Sequence, residues 1–228
     1  MDTVIPRLDR VPCFDSRSRD YPVHALPALQ LVPAGREKRI WQPRDEPLDQ
    51  GSEGACVAFA LSAELAAAPW RHTVSNESSV ALYQRVRAED RRMGNYWYSG
   101  ASVLAGMRVA RREGLIRSYW WAFGVEDVVE TILRHGPVIL GVPWYSNMYG
   151  TGPGGLVEVE GTLVGGHAIM AHGFWPDHPD HGDVVVWTNS WGAGYGLDGV
   201  GYIRTGDLDA LLANWGEACV PADSPVPA

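Results

Sequence analysis

The apolar period of this chain changes once, at Gly136-Pro137, and that change restricts it to a mixed fold with helices first and a sheet second. Upstream, apolar residues recur at helical spacing. The alanine-rich run Ala58 to Ala68 stops at Pro69, and Val80, Leu82, Tyr83 and Val86 share a face of a segment that Asn76 can cap. Val103, Leu104, Met107 and Ala110 follow Ser102 and end at Gly114, and Val125 to His135 closes on Gly136-Pro137. Downstream, Val138 to Val142, Ala168 to Phe174, Asp183 to Thr188 and Val200 to Arg204 are short β-rich runs separated by glycine, proline and aspartate. With 228 residues there is room for one large domain or two small lobes sharing a core. An α+β protein follows.

Three stretches carry chemistry. Cys56 stands just inside the first helix, in Gln50-Gly51-Ser52-Glu53-Gly54-Ala55-Cys56, where unpaired backbone N–H groups and the helix dipole favour thiolate. Gly165-Gly166-His167 supplies a general base behind two glycines that let a substrate backbone come close. Asn189-Ser190-Trp191-Gly192 supplies an amide to orient the base through its Nδ1–H, with Trp191 shielding that hydrogen bond from water. Each has a plainer reading as a buried thiol, a core histidine or a turn cap. Their order along the chain favours a thiol hydrolase.

Together these stretches resemble the papain-like cysteine peptidases. The resemblance rests on a glutamine six residues before the cysteine (56 − 50), the Gly-Ser pair behind it, the His-Ala strand, and the Asn-Ser-Trp-Gly turn with its closing glycine-rich strand, and it spans about residues 40 to 205. It implies a two-lobed fold, with a helical lobe at about 48–136 carrying the cysteine and a β-sheet or barrel lobe at about 137–220 carrying histidine and asparagine. Residues 1–47 are expected to form an extended strap and 221–228 a tail. It further implies catalysis by Cys56, His167 and Asn189, with Gln50 stabilising the oxyanion beside the Cys56 N–H. Ser99, Gly100, Gly166 and Trp191 are its substrate-binding candidates; Ser99 and Gly100 read nearly as well as a plain turn. The expected substrate is a peptide or protein, with no metal or organic cofactor. An amidase or peptidoglycan peptidase with the same site, or a binding protein that has lost turnover, remain alternatives.

The chain departs from the secreted pattern of that family at Glu53 and Val57, where a disulfide cysteine and a tryptophan usually stand. Cys13 and Cys219 then read as reduced thiols, with a staple between them as the other reading. No signal-peptide pattern opens the sequence, so a cytoplasmic protein, bacterial or phage-encoded, is expected. The Pro6 to Pro47 segment has no persistent period and is expected to lie over the body as a strap; the alternative is that it enters the cleft.

Composition excludes other classes. A net charge of −8 argues against a nucleic-acid partner, and the clusters at Arg85 to Arg92 and Arg108 to Arg117 fall at the spacing of a solvated helix face. No apolar run is long enough to span a membrane. His172, Asp177, His178, Asp180, His181 and Asp183 crowd together, but across a proline-broken connection that reads as a hairpin tip and not as a metal site. Gly150 to Gly155 lacks the lysine and helix start of a phosphate cradle.

Overall fold

The computed structural model describes residues 7–26, 36–42 and 46–223. Three helices come first: α1 (Cys56–Ala66), α2 (Asn76–Arg92) and α3 (Val103–Arg112). The α2 start differs from expectation by one residue. Ser75 is its cap, in a reciprocal box with Ser78, while Asn76 turns its side-chain oxygen to the Asp49 N–H at 3.0 Å. Ser102 caps α3 as expected, and its hydroxyl and N–H are both held by the buried carboxylate of Asp90.

Strand β1 (Arg39–Ile40) precedes these helices, and β2 (Ser118–Ala122) and α4 (Val125–Arg134) follow them. Next come β3 (Val138–Tyr145), β4 (Leu163–His178), β5 (Gly182–Thr188), β6 (Val200–Arg204), α5 (Thr205–Ala213) and β7 (Glu217–Ala222). The sheet runs β2-β7-β3-β4-β5-β6 with antiparallel pairings throughout, and β1 adds to β4.

Two elements fall on the other side of the lobe boundary from where periodicity put them. Strand β2 pairs with β7, and α4 packs Val128 and Ile132 into one core with Val138, Leu140 and Ile169 of the sheet. The chain therefore crosses into the sheet lobe near residue 117, well before Pro137. Ser118-Tyr119-Trp120-Trp121-Ala122 shows no alternation in sequence, because its identity as a strand depends on partners such as Val220 about a hundred residues on. Strand β7 likewise runs past residue 220 to Ala222.

The lobes meet on α1. Nine of its eleven residues are buried, so it is covered on all sides and no single face is amphipathic. Its second core joins Val57, Phe59 and Leu61 to Val103, Met107 and Val109 of α3 and to Ile139, Ala168 and Cys219 on the inner sheet face. Gly106 lets α3 approach so closely that a Cβ there would sit 3.1 Å from Val57. Replacing the fully buried Leu61 by alanine would cost about 2–5 kcal/mol, since a helix packed on every side cannot collapse into the cavity.

Candidate active site

Cys56 is the first residue of α1, a helix whose cap position, Ala55, offers no side-chain acceptor to the first-turn N–H groups. The thiol packs against β4, where the backbone of Ala168 hydrogen-bonds it, and the residue before Ala168 is His167. Helix and strand thus bring the Cys56 thiol against the residue that follows His167.

His167 Nε2 lies 2.8 Å from Asn189 Oδ1. The expected partner atom was Nδ1, and the correction matters chemically. An amide oxygen accepts, so the proton resides on Nε2, and Nδ1 carries the lone pair. Nδ1 is buried and bonds to no protein group, so the basic nitrogen is the one turned away from Asn189. Trp191 lies over the imidazole with ring centroids 4.7 Å apart, and Trp144 meets it edge-on at the same separation. These indoles keep water from the His167–Asn189 bond.

Gln50 is fixed at every polar atom. Its N–H donates to the Ser190 carbonyl at 2.8 Å, and its Oε1 accepts from Ser190 Oγ at 2.6 Å. Its Nε2 donates to the Glu53 carbonyl at 2.6 Å and to the Arg7 carbonyl at 2.9 Å. Gly192 N–H also donates to the Leu48 carbonyl, so residues 48–50 and 190–192 form a short backbone seam between the lobes.

Arg7 belongs to the N-terminal segment, and here the strap expectation gives way. Residues 7–11 run between the lobes. Asp9 and Arg10 both donate their N–H to the Gly166 carbonyl, at 3.1 and 2.9 Å. On the opposite wall Val11 N–H donates to the Ala101 carbonyl, and Ala101 N–H to the Asp9 carbonyl. Ser99 Oγ donates to the Asp9 carboxylate at 2.8 Å. A Cβ on Gly100 would land on the Asp9 carbonyl, and one on Gly166 would come within 2.6 Å of the Arg10 carbonyl. Both glycines are therefore required by a backbone passing through the cleft. No period in the segment announced this, because an extended chain bonded through its main chain leaves no side-chain pattern.

The segment seals the site. Cys56 and His167 are both 0% exposed. Burial pushes the Cys56 thiol up to about 12, with Asp9 adding to the rise, and pushes His167 down to about 4 despite the Asn189 bond. Closed, the pair is held uncharged.

No family model matches the chain, and no curated protein matches it by sequence. Solved structures do match. Xylellain, a cysteine protease from Xylella fastidiosa, superposes with a TM-score of 0.69 at 16% identity over 98% of this chain and 97% of that one. Digestive procathepsin L2 from Tenebrio molitor larval midgut gives 0.65 at 17% over 97% and 80% of the two chains. The bromelain protease of Ananas comosus, in complex with the E64 inhibitor, gives 0.57 at 15% over 78% and 93%. The fold is papain-like.

Within that papain-like frame, Gln50, Ser190, Asn189 and His167 form one hydrogen-bonded run, and Cys56 bonds to the backbone of Ala168, the residue after His167. Ser99, Gly100 and Gly166 line the walls that hold the segment, and Trp191 covers the histidine. Ser190, whose hydroxyl holds Gln50, stood in the Asn-Ser-Trp-Gly turn without a role of its own, and Glu217, which binds Arg10 from β7, had no sequence signal. The His172 to Asp183 cluster is split by the sheet. His172 is buried against the Trp41 carbonyl, while His178 and His181 stack at the β4–β5 turn. Among the described residues no three histidine, cysteine or acidic groups converge as metal ligands, and no helix is long and apolar enough to cross a membrane. Cys13 and Cys219 are free thiols.

Proposed function

We propose that this chain is a cysteine-type peptidase, closed in the form described by its own residues 7–11. The observation that carries the reading is the extended backbone hydrogen-bonded to Gly166 on one wall and Ala101 on the other, beside Cys56 and His167. A cleft that grips main-chain groups on both sides is suited to a polypeptide, which favours peptide hydrolysis over attack on a small amide.

With the segment displaced, Cys56 Sγ transfers its proton to His167 Nδ1 and attacks the substrate carbonyl carbon. The tetrahedral oxyanion is bound by Gln50 Nε2 and the Cys56 N–H, the site that the Arg7 carbonyl now partly satisfies. Collapse breaks the C–N bond, and the imidazolium gives its proton to the leaving amine. Water, deprotonated by His167, then attacks the thioester, and the acid departs as the thiol is restored. Asn189 keeps the Nε2 proton in place throughout, so that Nδ1 alone exchanges protons.

The reading is tested with a peptidyl epoxide and a fluorogenic peptide library, with the adduct located by mass spectrometry. Labelling at Cys56, together with peptide turnover lost in Cys56→Ala and Cys56→Ser at unchanged melting temperature, is expected. Turnover retained by Cys56→Ala would sink the mechanism. A protein whose Cys56 is alkylated by iodoacetamide but which cleaves no peptide would be a binding protein instead.

A further inference from the structure

The N-terminal segment makes a second contact downstream of the cleft. Its residues Ser16–Asp20 form a 3-10 turn, and a cavity of about 550 Å3 lies between that turn, α3 and Tyr119 of β2. Four arginines and two aspartates line the cavity, an excess of cations in a chain whose net charge is −8. Arg17 comes from the segment. Arg108, Arg111 and Arg112 come from α3, where their spacing alone predicts a solvated face. Folding makes that face a wall instead, and the Arg108 side chain is 32% exposed.

The counter-charges are too few for these cations. One carboxylate, Asp15, takes the guanidinium of Arg17 and also stands 3.5 Å from Arg108. Arg112 pairs with Glu89 at 2.6 Å, and Arg111 forms no ion pair among the described residues. Arg17, Arg108 and Arg111 nevertheless converge, since the charges of all three reach the hydroxyl of Tyr119. Guanidinium groups brought together from two elements repel one another unless an anion lies between them, and their forked N–H groups match the oxygens of a phosphate. Tyr21, Tyr119 and Trp121 add aromatic surface, and the volume exceeds that of a bare phosphate ion.

We propose that this cavity binds a phosphate-type dianion, and that the bound anion clamps the N-terminal segment in its closed position. One part of the site, Arg17, belongs to the segment, and the other, Arg108 and Arg111, to α3. The full site therefore exists only while the segment is docked, and an anion that needs both parts favours the closed form by its differential affinity. The clamp lies between residues 7–11 in the cleft and an anchor further on, where Trp121 N–H donates to the Tyr21 carbonyl at 2.9 Å. The inference goes beyond the peptidase reading and its test does not depend on peptide turnover.

The test follows iodoacetamide alkylation of the full chain at about pH 8, read at the Cys56 peptide by mass spectrometry, with ionic strength held constant by sodium chloride. Inorganic phosphate and phenyl phosphate are the two probes, both chiefly dianions there. Each should slow alkylation of the unchanged chain saturably, by about tenfold or more at high occupancy. A lower half-saturating concentration for phenyl phosphate assigns the site to phosphate esters whose ring lies on the aromatic wall, and equal concentrations assign it to the free anion. Arg111→Gln, which breaks no ion pair, should keep the rate without phosphate and lose most of the response to both probes, and Arg111→Lys should restore part of it. Slowing equal to that of added chloride, or a phosphate response unchanged in Arg111→Gln, would overturn the site. Phosphate that binds by calorimetry but leaves alkylation unchanged, or speeds it, would overturn the clamp.

Discussion

The Ser190 hydroxyl donates to Gln50 Oε1 at 2.6 Å across 140 residues of sequence, and so decides which way the Gln50 amide faces. With the oxygen engaged, the NH2 group must point into the cleft, where it meets the Arg7 carbonyl. Ser190 directly follows Asn189, so one turn of chain positions both the histidine and the oxyanion donor.

Removing the donor tests its role directly. Gln50→Ala should lower kcat by about 10²-fold with little change in KM, the effect of one lost oxyanion contact. A raised KM at unchanged kcat would assign Gln50 to substrate binding instead.

Ser190→Ala should lower kcat by a smaller factor, about tenfold or less, because the amide is then free to flip but is still present. Ser190→Thr, which keeps the hydroxyl, should recover most of the loss. A kcat equal in all three proteins would remove Ser190 from any positioning role.

The closed cleft predicts slow thiol chemistry. Leu8 is 7% exposed and packs where Gly165 makes room, anchoring the segment beside Arg10. Leu8→Ala weakens that anchor by up to about 2–5 kcal/mol and should speed alkylation of Cys56 by iodoacetamide at pH 7 by about tenfold or more. The pH dependence should shift as well. A thiol held at about 12 when covered reacts poorly until alkaline pH, whereas an uncovered thiol beside His167 ionises lower. Equal alkylation profiles in the two proteins would show that residues 7–11 do not guard the thiol.

Glu64, in the last turns of α1, offers a pH test of stability without reference to catalysis. It is 1% exposed, its Oε2 has no partner, and burial pushes its carboxyl up to about 8 against an ordinary value of 4.5, with Trp70 providing a partly offsetting bond. The folded pKa is raised, so the folded state holds the proton more tightly. Its penalty is absent below about pH 4.5 and grows as pH rises to about 8. Glu64→Gln should therefore raise the melting temperature relative to the unchanged chain more at pH 8.5 than at pH 5, by about 5 °C or more. A gain independent of pH would mean that Glu64 remains neutral throughout or is not buried in solution.

Cys56, Gln50, His167 and Asn189 stood out as candidates in the linear sequence because each sits in a short run with its own local chemistry: a helix start, a glycine pair, a turn. The capped helices α2 and α3 and the strand Val200–Arg204 were legible for the same reason, since period and caps act over a few residues. Only the tertiary structure turned β2 and α4 toward the sheet, because Trp120 becomes a strand residue by pairing with Val220. Only it put the proton of His167 on Nε2, by setting Asn189 on that side of the ring. The same holds for Arg10 and Glu217: each is an unremarkable surface-type residue in its own stretch, and folding makes them a buried pair at the mouth of the site. Local interactions are written in neighbouring residues, whereas a cleft, its occupant and its charge are made by elements that meet after long loops close.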